Sequence, residues 1–169
     1  MLVDDIVKEY KLISNKKYVF VRAIHRFFFD RTFQVRVKIN NMLKSRNESI
    51  KRIKRSTLLK KYGCDISLCA SLGEGISLPH PIGVVIGERA VIGKHCTIYQ
   101  NTTIGQKNGE YPVIGDNVTI FPSCVIIGGI TVGDNAIVGA GSIVLHDVKP
   151  GTIVVGNPAR ELRKADGEE

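Results

Sequence analysis

The chain has 169 residues, enough for one domain and an appendage, and its 24 Lys/Arg outweigh 16 Asp/Glu for a net charge of +8. No apolar run is long enough to cross a bilayer, and Met1-Leu2-Val3-Asp4-Asp5 is acidic where a secretory leader is basic, so a cytoplasmic protein is expected. The cysteines Cys64, Cys69, Cys96 and Cys124 lack C-x-x-C spacing, so they read as reduced, small apolar side chains rather than disulfides or a zinc site.

Charge is unevenly spread. Residues 1–62 hold 17 Lys/Arg against 5 Asp/Glu, and residues 63–169 hold 7 against 11. The first segment predicts amphipathic helices over 4–14, 18 to about 42, and 45–62. The second carries Phe20, Phe27, Phe28, Phe29 and Phe33, and the third Lys51, Arg52, Lys54, Arg55, Lys60 and Lys61. The expected arrangement is a solvated basic face, with the Phe cluster packed against another helix or the end of the next domain. A peripheral membrane contact through residues 1–62 is the alternative, and no nucleic-acid-binding motif is present. His25 in this segment receives no role.

From Ile66 the pattern changes. An aliphatic residue recurs every sixth position: Ile66, Leu72, Leu78, then Ile86, Ile92, Ile98, Ile104, then Ile114, Ile120, Ile126, Val132, Val138, Val144. Many are followed by glycine. A helix face repeats every 3.6 residues and a strand every two, so a period of six fits neither. It fits a coil of three short flat sides, A, B and C, with one aliphatic per side pointing inward: a hexapeptide parallel β-helix. The expected organisation is a helical cap over 1–62, a left-handed β-helix over 63–155, and a tail over 156–169.

Two insertions interrupt the period. One adds two residues around Leu78-Pro79-His80-Pro81-Ile82-Gly83, at a C-to-A corner. The other adds four and extrudes Gln106–Pro112 at an A-to-B corner. Insertions in solenoids become loops, often on the binding face. His80 lies two residues after a C-side aliphatic. Gln100, Pro122 and Ala140 hold the same place on later coils, so the four are expected to form one column.

The run Asp65-Ile66-Ser67 through Leu78-Pro79-His80-Pro81-Ile82-Gly83-Val84-Val85-Ile86-Gly87 resembles the catalytic domain of serine O-acetyltransferases. So do Gln100-Asn101-Thr102-Thr103-Ile104-Gly105, Gly139-Ala140-Gly141-Ser142-Ile143-Val144-Leu145 and Gly156-Asn157-Pro158-Ala159-Arg160. The likeness spans roughly residues 64–164. It implies a left-handed β-helix, a homotrimer, and transfer of acetyl from acetyl-CoA, with no metal, to an alcohol.

The chain also departs from that family. Pro79 stands where an Asp helps hold the amino acid, and Tyr111 precedes Pro112 where the family has a second His. The helical domain is shortened to about sixty residues. The short form with Gln-Asn-Thr-Thr-Ile-Gly is similar to the sugar-modifying branch of polysaccharide biosynthesis. A glycan or nucleotide-sugar hydroxyl is therefore the expected acceptor, with L-serine as the alternative.

An alcohol attacks a thioester only as a base removes its proton, and histidine suits that task near neutral pH. His80 is the expected base, with the Asp65 carboxylate orienting its imidazole. The resemblance places Pro122 and Ala140 in the pantetheine groove; Gly105, Gly139 and Gly141 would allow close approach there. It assigns Arg160, Lys164, Arg163 and Lys107 to the CoA phosphates, although Arg163 and Lys164 read equally as a solvated tail. Pro79, Gln100 and Tyr111 are the expected acceptor contacts, and Tyr111 reads equally as loop packing. His95 and His146 read as structural or exposed. A carbonic anhydrase would need three zinc-binding His, and only His80 is well placed. Sugar nucleotidyltransferases need a nucleotide-binding domain that is absent. A non-catalytic β-helical scaffold is the rival of another class, and Asp65 with His80 argues against it.

Overall fold

The computed structural model describes residues 2–11, 14 and 19–164, the side chains of Leu2, Arg163 and Lys164 excepted. Four helices come first: α1 (Leu2–Lys11), α2 (Val19–Phe29), α3 (Arg31–Leu43) and α4 (Glu48–Tyr62). The single helix expected from residue 18 to about 42 is two, and Asp30 divides it. Its backbone is extended (φ −109°, ψ 107°), and its carboxylate accepts the Phe33 N–H as the cap of α3. Asn47 caps α4 in the same way, and Gly63 ends it in the left-handed region at φ 67°.

Val35, Ile39 and Met42 of α3, with Leu58 and Tyr62 of α4, share one buried cluster with Ile66 and the first coil. These helices therefore cover the open N-terminal end of the solenoid, whose first strands would otherwise expose unpaired edges and core. The expected inward packing of the phenylalanines holds for Phe33, 2% exposed, and fails for Phe20, Phe28 and Phe29, at 58%, 66% and 78%. α2 seats Ala23 against its neighbours, and its wide opposite face faces outward.

The solenoid begins two residues after Gly63. Side A stacks Asp65–Ile66, Val85–Ile86, Thr103–Gly105, Val125–Ile127 and Ile143–Val144. Side B stacks Ser71–Leu72, Val91–Ile92, Val113–Ile114 and Thr131–Val132, and side C Thr97–Ile98, Thr119–Ile120, Ile137–Val138 and Thr152–Val155. Every coil-to-coil pairing is parallel, and Ile66, Ile86, Ile104, Ile126 and Val144 sit in register on side A. The register is the one the period of six predicts. The core also runs beyond Val144: Val148 bridges to Val132, and Val154 pairs with Val138.

A second inward column stands two residues before each aliphatic, where strand alternation turns the side chain inward again. It holds Cys64, Ala70, Ile76, Val84, Ala90, Cys96, Thr102, Val118, Cys124, Ile130, Ala136 and Ser142, all buried. Most of these side chains are small, and three of the four cysteines stand in this column. The Thr102 and Ser142 hydroxyls donate to the carbonyls of Phe121 (3.4 Å) and Gly139 (2.5 Å). Burial pushes the Cys64 and Cys96 thiols from 9.0 up to about 11, and raises that of Cys124.

Thiols held protonated react slowly. A thiol reagent should therefore find one fast equivalent per native chain, the exposed Cys69, and all four in denaturant. Between pH 9 and about 11 the unfolded chain ionises Cys64 and Cys96 while the folded chain does not. Stability should fall across that window as pH rises. A denaturation midpoint unchanged between pH 8.5 and 10.5 would contradict it.

The expected tail is not a tail throughout. Arg160–Lys164 turns back and pairs antiparallel with Thr152–Val155, with a bulge between Ile153 and Val154. Ala159 packs against the core.

Candidate active site

His80 occupies the two-residue insertion at the C-to-A corner, and the backbone around it is held from two sides. Thr32 of α3 donates its hydroxyl to the Pro79 carbonyl at 2.8 Å. Cys64 donates its thiol to the Pro81 carbonyl at 3.3 Å. The Ile82 N–H closes a tight turn onto the His80 carbonyl at 2.8 Å. With Pro79 and Pro81 restricting the backbone, the imidazole projects outward, exposed. The sequence carries no visible sign of Thr32, 47 residues away from its partner.

The expected column needs one correction. The N–H groups of Asn101, Ser123 and Gly141 bond the carbonyls of Ile82, Gln100 and Pro122 at 2.9, 3.0 and 2.8 Å. The rung therefore runs Ile82, Gln100, Pro122, Ala140. His80 stands in the insertion before it, because two extra residues shift the ladder. The His80 ring lies 6.4 Å from Tyr99, and Tyr99 stacks on Phe121 at 5.4 Å with planes 2° apart. This aromatic file beside the histidine was not anticipated, although Tyr99 and Phe121 each directly follow a side-C aliphatic.

The expected Asp65–His80 dyad is not formed by a hydrogen bond among the described residues. The Asp65 carboxylate instead receives Arg55 Nε at 3.0 Å and Nη2 at 2.6 Å. The sequence offered Arg55 only as part of the basic run on α4. Helix α4 ends at Tyr62, directly ahead of the first strand, which lays this side chain over Asp65. Both partners are more than a third exposed, at 40% and 37%, so the pair itself contributes only about 0.2–1 kcal/mol.

The two readings of Asp65 separate experimentally. If it orients the base, Asp65→Asn should lower turnover, by less than loss of His80, while the KM for acetyl-CoA stays put. If it serves only the ion pair, Asp65→Asn and Arg55→Ala should shift the melting temperature alike and leave turnover unchanged.

Around the rung the surface is open. A Cβ at Gly141, whose φ is 70°, would meet nothing within 4 Å, and one at Gly105 only ordinary contacts at 3.6 and 3.7 Å. Gly139 has a different cause: a Cβ there would stand 2.5 Å from Val155, so packing of side C requires it. Pro122 is half-buried and Ala140 exposed. The Gln100 side-chain oxygen is buried and finds no donor among the described residues. Leaving such a group unmet costs roughly 1–3 kcal/mol, which a donor from a bound molecule would offset.

Tyr111 lies elsewhere. It packs against the core, sits over Gly87, where a Cβ would be 2.7 Å from its ring, and has the Arg89 guanidinium 5.2 Å from its centroid. Arg89 also donates to the Gly109 carbonyl at 2.5 Å, and Lys107 pairs with Glu110 to close the loop. The contacts recorded for Tyr111 are thus all within its own corner, which is loop packing. Arg160 is exposed and donates to the Ala159 carbonyl at 2.9 Å. The side chains of Lys164 and Arg163 lie outside the described residues.

Residues 111–146 match the family model described as bacterial transferase hexapeptide (six repeats). A serine acetyltransferase of Synechococcus elongatus is 40% identical over 107 residues, 61% of this chain and 44% of that protein. The chain spans less than half the length of the curated relatives it matches. Among solved structures, soybean serine acetyltransferase complexed with serine is 34% identical with a TM-score of 0.77, covering 95% of this chain and 69% of that one. The Neisseria gonorrhoeae serine acetyltransferase is 30% identical with a TM-score of 0.78, covering 98% and 67%. With its parallel solenoid and helical cap, the chain belongs to the hexapeptide-repeat transferases, and its homologues are serine acetyltransferases.

Proposed function

We propose that the chain is an acetyltransferase that moves an acetyl group from acetyl-CoA to the hydroxyl of a small acceptor, with L-serine the foremost candidate. The observation that carries it is His80, exposed at a corner pinned by Thr32 and Cys64, in a chain whose relatives are named serine acetyltransferases. The sugar acceptor favoured by the departures at Pro79 and Tyr111 takes second place, because the quoted relatives carry the serine name.

Acetyl-CoA, when bound, supplies the activated acyl thioester. His80 accepts the proton of the acceptor hydroxyl as that oxygen bonds to the acyl carbon, then returns it to the departing thiolate, leaving CoA thiol and the acetyl ester. If Asp65 orients the base, its carboxylate, held by Arg55, stabilises the imidazolium that forms. Gln100 accepts from a donor of the bound molecule, and the open surface by Gly105 and Gly141 admits the thioester arm. Arg160 meets a phosphate.

A second reading keeps a sugar hydroxyl, and one observation favours it. The Tyr99–Phe121 pair beside His80 is an aromatic surface, its rings stacked at 5.4 Å and Phe121 38% exposed, and aromatic carbon packs on the C–H groups of a pyranose better than on a zwitterionic amino acid. A homotrimer, with the Gln106–Pro112 loop reaching toward a neighbour's His80, belongs to both readings, and sedimentation of the native protein tests it.

The deciding assay follows loss of the thioester absorbance, since Cys69 would react with a thiol reagent. L-serine, amino sugars and nucleotide sugars are offered in parallel. Turnover with L-serine above the others supports the first reading, and turnover with a sugar alone supports the second. Absence of turnover with every acceptor would leave a binding scaffold.

A further inference from the structure

We propose that helix α2 docks the protein on an anionic lipid bilayer. The proposal is independent of the acceptor and of the chemistry at His80. Its starting point is a cost: Phe20, Val21, Phe28 and Phe29 are 58%, 67%, 66% and 78% exposed on one short helix. At 100° per residue these four fall within one half of its circumference, and Ala23, fully buried, marks the opposite side. Arg22 and Arg26 follow Phe29 around the helix, at the border of the apolar arc; both are exposed, and Arg26 pairs with Asp30 at 2.8 Å. Val3 of α1, 45% exposed, lines with Asp4, Lys8 and Lys11 a shallow depression shared with Phe20 and continues the same surface. His25, exposed and packed on Phe29 with ring centroids 4.7 Å apart, falls inside the arc, and an exposed aromatic face bordered by cations marks an interaction site.

Charge selects the occupant. Residues 1–62 carry 17 Lys/Arg against 5 Asp/Glu. Beside the α2 phenylalanines themselves stand Arg22, Arg26, Lys8 and Lys11, so two copies meeting there would bring like charges together. A layer of phosphate headgroups complements them. Phenylalanines then settle at the acyl boundary while arginine side chains reach back to the headgroups. No helix among the described residues is long and apolar enough to span the membrane, so the contact lies on the surface.

The test is vesicle flotation with the full chain. Phosphatidylcholine vesicles are compared with vesicles of equal parts phosphatidylcholine and phosphatidylglycerol. Binding to the anionic vesicles should be at least about tenfold tighter and should weaken as salt rises. The Phe28→Ser, Phe29→Ser double variant changes only exposed side chains, so its circular dichroism and acetyl transfer should match the native chain. Its vesicle affinity should fall by about tenfold or more. Arg22→Gln with Lys11→Gln should weaken binding to the anionic vesicles only. Absence of binding, equal binding to both vesicle types, or native affinity in the Phe variant overturns the proposal. So does a drop in oligomeric state of that variant by light scattering without vesicle binding by the native chain, which would make the face a contact between copies.

Discussion

Replacing His80 by alanine should lower acetyl transfer by about 10²–10⁴-fold while the fold survives, the usual loss when a positioned general base is removed. The expectation of an intact fold is structural. The imidazole is exposed, and what holds its corner is backbone: the Pro79 carbonyl on Thr32, the Pro81 carbonyl on Cys64, and the Ile82 N–H on the carbonyl of residue 80 itself. Alanine keeps all three. The ring lies 6.4 Å from Tyr99, too loose a contact to contribute much stability. The check is a steady-state assay beside a thermal melt, on the native chain and the variant. A variant that melts normally and turns over near the native rate would take His80 out of the mechanism.

Val132→Asp should abolish folding. Val132 is fully buried, pairs with Ile114 on the preceding coil and is bridged by Val148 on the next, so its side chain has no route to water. Losing the buried valine forfeits about 1.5–3 kcal/mol. Burying a carboxylate with no cation nearby adds several kcal/mol more, unless the group protonates at comparable cost. Together these approach the whole 5–15 kcal/mol that typically holds a domain together. Lys94→Ala, at an exposed position on the coil exterior, should melt within a few degrees of the native chain. Circular dichroism with a melting curve compares the two. Cooperative unfolding of Val132→Asp near the native temperature would mean that the column is not the core.

What the sequence determined by itself is the solenoid and its register. A coil with three flat sides places each sixth residue inside, so the period alone stacks Ile66, Ile86, Ile104, Ile126 and Val144, and they pair in that order. The same periodicity exposed its own interruptions, and one of them contains His80. The departures from the pattern marked the corner as special without describing it.

Tertiary structure decided the rest, because those features depend on contacts between segments with no common period. Arg55 reaches Asp65 only because α4 ends beside the first strand. Thr32 finds the Pro79 carbonyl across 47 residues because α3 lies over the first coil. The ladder places Ile82, rather than His80, on the rung of Gln100, since two inserted residues are absorbed by a turn whose shape the count does not specify. The exposure of Phe28 and Phe29 followed from which side of α2 its neighbours cover, and helical spacing alone leaves that choice open. Local periodicity sets what each short segment buries. Where the segments meet is set by the packing of the whole chain.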